Sequence, residues 1–281
     1  MTVRRSRFVF VAGLHRTGTS ILSRILGSHP SISAIQDAPV PENEGCYLQG
    51  AIPHTARDGR PGHYATDPAQ HHTESSRFNS LETQQRLLSD WAGWFDGAKP
   101  WWLEKSPVNL TRMRLYQQLF PTAQFIVILR HPQATAAALA KWVDADPVTL
   151  VRYVLDAYDL VRTDLPFLHA AHVIRYEDLV ANPDQVRKSS FAFLLLDDFD
   201  AGIRLRDGNR DYDVSDLLDA KLAERMDRWG YRPGGETTQF DPICAHPLRT
   251  VREATLSFPN SHECAISKLA SEKEQKANIR Q

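Results

Sequence analysis

Residues 13–20 read Gly-Leu-His-Arg-Thr-Gly-Thr-Ser, directly after the apolar run 8–12 and before the apolar pairs Ile21/Leu22 and Ile25/Leu26. That order predicts a strand, a tight glycine-bounded loop and a helix. Such a loop aims backbone N–H groups and a helix N-terminus at one spot, which binds an anion such as phosphate. The spacing nearly matches the phosphate-loop pattern G-x-x-x-x-G-K-[ST], but Thr19 stands where the lysine belongs. The positive charge sits three residues earlier, on Arg16. In triphosphate enzymes a second apolar strand ends in an acidic residue that holds Mg2+. Here the strongest apolar run, Gln124–Leu129, ends in Arg130. A guanidinium in that place repels Mg2+ and attracts an anion. The chain therefore offers two cationic anion pockets, one at Arg16, Gly18, Thr19 and Ser20 and one at Arg130. A nucleotide with phosphates at both its 5′ and 3′ positions satisfies both.

The elements that must position these residues follow from periodicity and breakers. The first helix, residues 18–28, carries Ile21, Leu22, Ile25 and Leu26 on one face and stops before Pro30. Residues 31–79 are rich in Pro, Gly, His, Asp and Glu with little periodicity, the mark of a functional or mobile segment. A helix is predicted over 80–95, then a short strand over 101–103 that ends at Glu104-Lys105-Ser106-Pro107. Ser106 as N-cap and Pro107 at N1 predict another helix, with Leu110, Met113, Tyr116 and Phe120 facing inward. Gln124–Leu129 reads as a central parallel strand, and a helix begins at Pro132. Asp146-Pro147 caps a long helix to about residue 164; a strand over 172–175 leads into Tyr176-Glu177-Asp178-Leu179. Further helices open at Asn182-Pro183 and at Ser215, the last ending at Gly230. From about 233 onward the chain reads as a peripheral tail, with its last dozen residues disordered. Alternating strand and helix predict one α/β domain over 1–232, a phosphate-loop-like parallel sheet flanked by helices, with a tail over 233–281. Ligands in such sheets sit beyond the carboxyl ends of the strands, where all these motifs fall.

Composition excludes several classes. The chain has 281 residues, 42% hydrophobic and 24% charged, with a formal net charge of −1. No general attraction to nucleic acid or acidic membrane is expected at that charge. Cys46, Cys244 and Cys264 are widely spaced and odd in number, which predicts a reducing compartment and no metal pattern. His54, His63, His71 and His72 fit no common metal spacing either. The start is too short in apolar residues for a signal peptide and reads as the first strand. No stretch approaches the ~18 apolar residues of a membrane-spanning helix. A cytoplasmic, bacterial-type enzyme is the expectation.

The loop, the Glu-Lys-Ser-Pro turn, the Phe-Ile-Val-Ile-Leu-Arg-His-Pro segment and Arg-Tyr-Glu-Asp-Leu together resemble, in that order, the landmarks of sulfotransferases that use 3′-phosphoadenosine 5′-phosphosulfate (PAPS). The similarity covers roughly residues 7–190, and the Glu-Lys-Ser-Pro turn is closer to the carbohydrate and Golgi-type branch than to the cytosolic phenol/steroid branch. The resemblance implies that Arg16 and the amides and hydroxyls of Thr17, Gly18, Thr19 and Ser20 hold the 5′-phosphosulfate. It implies that Arg130 binds the 3′-phosphate, that Tyr176 lies near the nucleotide, and that Lys105 sits beside the sulfuryl group. The family places a serine eight residues after that arginine, where this chain has Ala138; Thr135 or an arginine of 204–210 are the candidates to compensate. No metal is implied.

Sulfuryl transfer, like phosphoryl transfer, runs in line with charge growing on the leaving bridging oxygen. Fixed cations and loop amides stabilise that charge, and Arg16 and Lys105 are the candidates. A base must take the acceptor's proton. In the branch resembled it is a glutamate after the first helix, which leaves Asp37, Glu42 and Glu44; Glu44 is favoured because Gly45-Cys46-Tyr47-Leu48 turns back into structure. His54 or His63 is the fallback. Blander roles stand beside these: Arg130 paired with a carboxylate, Lys105 solvated, Glu42 and Glu44 exposed, Glu177 and Asp178 capping or pairing. Trp91, Trp94, Trp101 and Trp102 read as packing. The rival functions are a nucleotide-kinase-like phosphotransferase and a non-catalytic nucleotide-binding relative. The acceptor, a hydroxyl or amine on a small molecule, glycan or natural product, is shaped by 31–79 and is not legible.

Overall fold

The computed structural model describes residues 6–54, 59–215 and 218–257. Six strands form one sheet in the order β2-β3-β1-β4-β5-β6: β1 (Arg7–Ala12), β2 (Ile32–Ala34), β3 (Trp101–Lys105), β4 (Gln124–Leu129), β5 (Ala171–Arg175) and β6 (Ile243–Ala245). The first five run parallel; β6 is antiparallel to β5, so the sheet is mixed rather than wholly parallel. A strand that returns along the sheet's edge needs no crossover helix, which is why a short stretch in the expected tail joins here. The helices are α1 (Thr19–Gly27), α2 (Leu81–Trp91), α3 (Met113–Leu119), α4 (Pro132–Leu139), α5 (Pro147–Asp164), α6 (Tyr176–Ala181), α7 (Pro183–Phe193), α8 (Ala220–Asp227) and α9 (Arg249–Leu256).

Alternation along β1 builds two cores. Phe8 and Phe10 face one layer with Trp91, Tyr116 and Phe120, while Val9 and Val11 face the other with Leu22, Ile25 and Leu26 of α1. The apolar stripe read from the sequence thus pins α1 under the sheet and aims its N-terminus at the strand ends. All six residues of β4 are buried, as a central strand between two helical layers requires. β1 has β3 on one side and β4 on the other, so the chain order reverses around it. That switch point lies above the loop 13–20.

Two expected starts moved. Ser106 does not cap a helix: Pro107–Thr111 is a 3-10 turn and α3 begins at Met113, because the Ser106 hydroxyl is engaged with Glu104 and the Cys46 amide. The helix expected from Ser215 begins at Ala220, where the Asp219 carboxylate accepts from Lys221 N at 2.8 Å. The 31–79 stretch holds β2, unforeseen at three residues, and then short 3-10 turns. The expected disorder of the final dozen residues, and Cys264, lie outside the described residues.

Candidate active site

The loop after β1 needs both its glycines. A Cβ on Gly13 would stand 2.6 Å from Ile128 O, and Gly18, at φ 103°, would drive one to 2.8 Å from the Tyr176 ring. Arg16 also takes the left-handed conformation, φ 70°. Thr17 turns inward, with its amide (3.2 Å) and hydroxyl (2.7 Å) both donating to Leu14 O. It therefore shapes the loop, while Gly18, Thr19 and Ser20 line the cleft beside it. Ser20 Oγ donates to Glu42 Oε2 at 3.0 Å.

Arg130 is 5% exposed at the tip of β4. Its Nη1 donates to Arg16 O at 2.7 Å and its Nε to Asn209 Oδ1 at 2.7 Å. Its guanidinium lies 4.7 Å over the Tyr176 ring. Among the described residues it has no carboxylate partner, and its buried Nη2 has no partner at all. Arg16 and Arg130 line one cleft of 390 Å3 with Gly18, Thr19, Ser20, Glu44 and Tyr176. Tyr176 is held by its hydroxyl, which accepts from Gly208 N and donates to Arg206 O, both at 2.9 Å. Its neighbours are structural. Glu177 accepts from His131 N, Asn209 Nδ2 and Tyr231 OH, and Asp178 takes the Arg175 guanidinium through two bonds.

Thr135 and Ala138 are buried in α4, and neither lines the cleft. Arg206 and Arg210 pair with Asp211 and Asp207 on the surface. The side chain that reaches Arg130 from that stretch is Asn209.

At the tip of β3 the sequence brings charge into the interior. Lys105, 4% exposed, donates to Glu42 O at 2.8 Å and lies 3.3 Å from Glu44 Oε1. It is a buried ion-pair partner, not a solvated surface lysine. Glu44 is 7% exposed. Burial raises its pKa to about 7; Lys105 opposes the shift, and Glu104 and Glu42 add to it. Glu104 is fully buried with its pKa raised by the same cause, and it accepts from Gly45 N at 2.9 Å, from Ser106 Oγ and from Asn109 Nδ2.

Of the other base candidates, Glu42 lines the cleft while Asp37, His54 and His63 do not. Asp37 and Glu42 are exposed, both with left-handed backbone at φ 52°. His63 is exposed and 3.7 Å from Asp67. His54 stacks edge-on to Tyr47. His71 pairs with Asp164 at 2.9 Å. No group of metal-ligating side chains occurs among the described residues, and no helix among them is long and apolar enough to cross a membrane.

Five cleft residues went unnoticed in the sequence: His15, Trp142, Gly208, Asp211 and Tyr212. His15 stood in plain view inside the loop. Burial lowers its pKa to about 4, with His54 and Lys105 adding to the fall, so it is neutral at pH 7. Trp142 is 57% exposed at the rim, edge-on to His15 and under the Arg16 guanidinium. Nothing in its local pattern set it apart from the packing tryptophans.

A family model described as the sulfotransferase family matches residues 9–200. The chain belongs to the sulfotransferase family. Among solved structures, a sulfotransferase from Alicyclobacillus acidocaldarius is 20% identical, with a TM-score of 0.44 over 74% of this chain and 89% of that one. Sulfotransferase STF9 from Mycobacterium avium is 15% identical, with a TM-score of 0.48 over 80% of this chain and 67% of that one. The sulfotransferase domain of the Synechococcus PCC 7002 olefin synthase is 16% identical, with a TM-score of 0.46 over 90% of this chain and 95% of that one. At these scores the likenesses carry no argument about this chain, and membership rests on the family model. No curated protein matches the sequence.

Proposed function

We propose that the chain transfers a sulfuryl group from PAPS to a hydroxyl or amine acceptor, leaving adenosine 3′,5′-bisphosphate. The observation that carries this is Arg130. A buried guanidinium that, among the described residues, has no carboxylate partner and one nitrogen unsatisfied faces the same cleft as the loop. Buried donors left unpaired are rare and costly, so an anion is the fitting partner. The loop end of the cleft suits the 5′-phosphosulfate and the Arg130 end the 3′-phosphate, with Tyr176 beside the nucleoside. Thr19 in place of a loop lysine and Arg130 in place of an acidic strand tip speak against a Mg2+-triphosphate site.

In this reading Glu44 takes the acceptor's proton while the acceptor oxygen or nitrogen bonds to sulfur. The bond from sulfur to the bridging oxygen breaks, and its electron pair stays on the departing 5′-phosphate. Lys105, Arg16 and the amides at the start of α1 stabilise that growing negative charge. A carboxyl with a pKa near 7 is half ionised at neutral pH, which suits a general base. A buried glutamate after α1 paired with the lysine of the Glu-Lys-Ser-Pro turn supports kinship with the carbohydrate and Golgi-type branch.

Calorimetry with adenosine 3′,5′-bisphosphate tests the proposal. Micromolar binding is expected, weakened by roughly 10–100-fold in Arg130→Ala, the loss of a charge-assisted hydrogen bond or two. No binding, or binding indifferent to Arg130, overturns it; tight binding of ATP–Mg2+ instead favours a phosphotransferase. Binding without turnover across an acceptor panel, unaltered by Glu44→Gln, marks a non-catalytic relative.

A further inference from the structure

The cleft above the loop has a larger neighbour. A second cavity of 490 Å3 adjoins the 390 Å3 cleft. Its floor is one stripe of α1, formed by Ser20, Ser23, Arg24 and Gly27 at i, i+3, i+4 and i+7. Leu103 and Lys105, two residues apart and so on one face of β3, make part of its wall, and Gln36 and Asn43 add polar edges. Among the described residues only Ser20 and Glu42 line both spaces, and these two are joined by the 3.0 Å hydrogen bond. That bond is the partition.

Among the described residues, three charged side chains line this second cavity: Arg24, Glu42 and Lys105. Lys105 is paired with Glu44, and Glu42 accepts from Ser20. Arg24 is exposed and makes no ion pair and no side-chain hydrogen bond among the described residues. Its neighbours one helical turn away, Ser20, Ile21, Gly27 and Ser28, carry no charge. A free guanidinium lining a cavity selects an anion, and its planar fork matches a carboxylate, sulfate or phosphate.

Geometry supplies the second strand of argument. In-line transfer places donor and acceptor on opposite sides of the transferred group. The two cavities meet at Ser20 and Glu42, and Lys105, which donates to Glu42 O, lines the second cavity beside them, the expected place of the sulfuryl group. A 5′-phosphosulfate that takes the Ser20 hydroxyl displaces Glu42 and joins the two spaces.

We propose that the 490 Å3 cavity is the acceptor site, and that it takes a hydroxylated or aminated compound bearing an anionic group held by Arg24. This rests on the sulfotransferase reading of the adjoining cleft. The reacting group then points toward the boundary at Ser20 and Glu42, where Lys105 lines this cavity and Glu44 the adjoining cleft, while the anionic group lies about one helical turn back along α1.

The test is saturation-transfer NMR on the full chain saturated with adenosine 3′,5′-bisphosphate. The probes are glucuronate and glucose 6-phosphate with methyl glucoside as their neutral mate, and 4-hydroxyphenylacetate with its methyl ester. At least one acid binds alongside the bisphosphate about 10-fold or more tighter than its neutral mate, and Arg24→Glu abolishes the preference. A carboxylate hit without the phosphate, or the reverse, separates the two anion types. The proposal is overturned if no acid binds, if acid and neutral mate bind alike, if Arg24→Glu changes nothing, or if the bisphosphate displaces the probes. Failure of the bisphosphate itself to bind sinks the sulfotransferase reading instead.

Discussion

Glu44→Gln probes the candidate base without needing an acceptor. Glu44 has its pKa moved from 4.5 to about 7 by burial. The folded chain therefore holds this proton more tightly than the unfolded chain, and stability contributed at low pH is lost as pH rises from 4.5 through 7. Integrating one site between those limits, the wild type loses about 2.5 kcal/mol between pH 5 and pH 8 that the glutamine variant keeps. The substitution also takes the carboxylate partner from Lys105, so the comparison is read as a change across pH rather than at one pH. Denaturant or thermal melts of both proteins from pH 5 to pH 8 read it directly. The variant's Tm relative to wild type rises by about 5 °C across the series, at roughly 2 °C per kcal/mol for a chain of this size. Two melting curves that stay parallel across pH refute a raised Glu44, and with it the claim that this carboxyl is poised to accept a proton near neutrality.

Lys105→Met removes the cation beside Glu44 and leaves a buried carboxyl unpaired. The Glu44 titration moves further up, and turnover with any acceptor found falls by about 10²–10³-fold while bisphosphate affinity changes little. A variant that turns over normally takes Lys105 out of the transfer step. Glu42→Gln removes the carboxylate that holds the Ser20 hydroxyl. Calorimetry should show bisphosphate binding tightened several-fold, with the gain shrinking in high salt; unchanged affinity means Glu42 does not compete for the loop. Ser106→Ala strips the acceptor from Cys46 N and a donor from Glu104. It costs about 1–3 kcal/mol in a denaturant melt, with bisphosphate affinity preserved. A bisphosphate loss as large as the stability loss contradicts the separation of the two halves of the site.

The sequence showed the strand tips better than what lies between them. β1, the loop and α1 were legible because glycine spacing, an apolar run and an apolar stripe are local signals, and β4 because six buried residues in a row leave one reading. Arg130 stood out for the same reason: a charge that ends such a run is conspicuous. β2 escaped because three residues, Ile32–Ala34, give no period. β6 escaped because an edge strand is made by its partner, here β5, and not by its own pattern. Glu44 was favoured in the sequence on the turn that follows it, but its burial was not legible there. Its burial comes from Gly45, which lets the chain pass so near Glu104 that a Cβ would sit 2.7 Å from the carboxylate. That is a tertiary fact. Asn209 and Tyr212 were illegible because a loop remote in sequence folds over Arg130 with no periodic signal of its own.

The Glu104-Lys105-Ser106 turn reads as a motif because three successive side chains each hold a different part of one loop. Glu104 takes the amide of Gly45, Lys105 takes the carbonyl of Glu42 and the carboxylate of Glu44, and Ser106 takes the amide of Cys46. Side chains alternate across a strand, so Lys105 points to the α1 layer while Glu104 points to the other. The loop is therefore gripped from both faces of the sheet. Glu104 also accepts from Asn109, whose amide donates to Val11 O at the end of β1. An unbroken chain of hydrogen bonds thus runs from the backbone of the loop-bearing strand to the loop that carries Glu44. Replacing Glu104 by an apolar residue would leave the Gly45 amide without its acceptor. Glu44 would lose a like charge that raises its pKa and the anchor that keeps it buried, and both losses act downward on that pKa. The buried carboxylate of Glu104, which touches no cavity described above, is for this reason a positioning residue for Glu44, and its cost to the fold is offset only by the hydrogen bonds that the strand tip and the loop return to it.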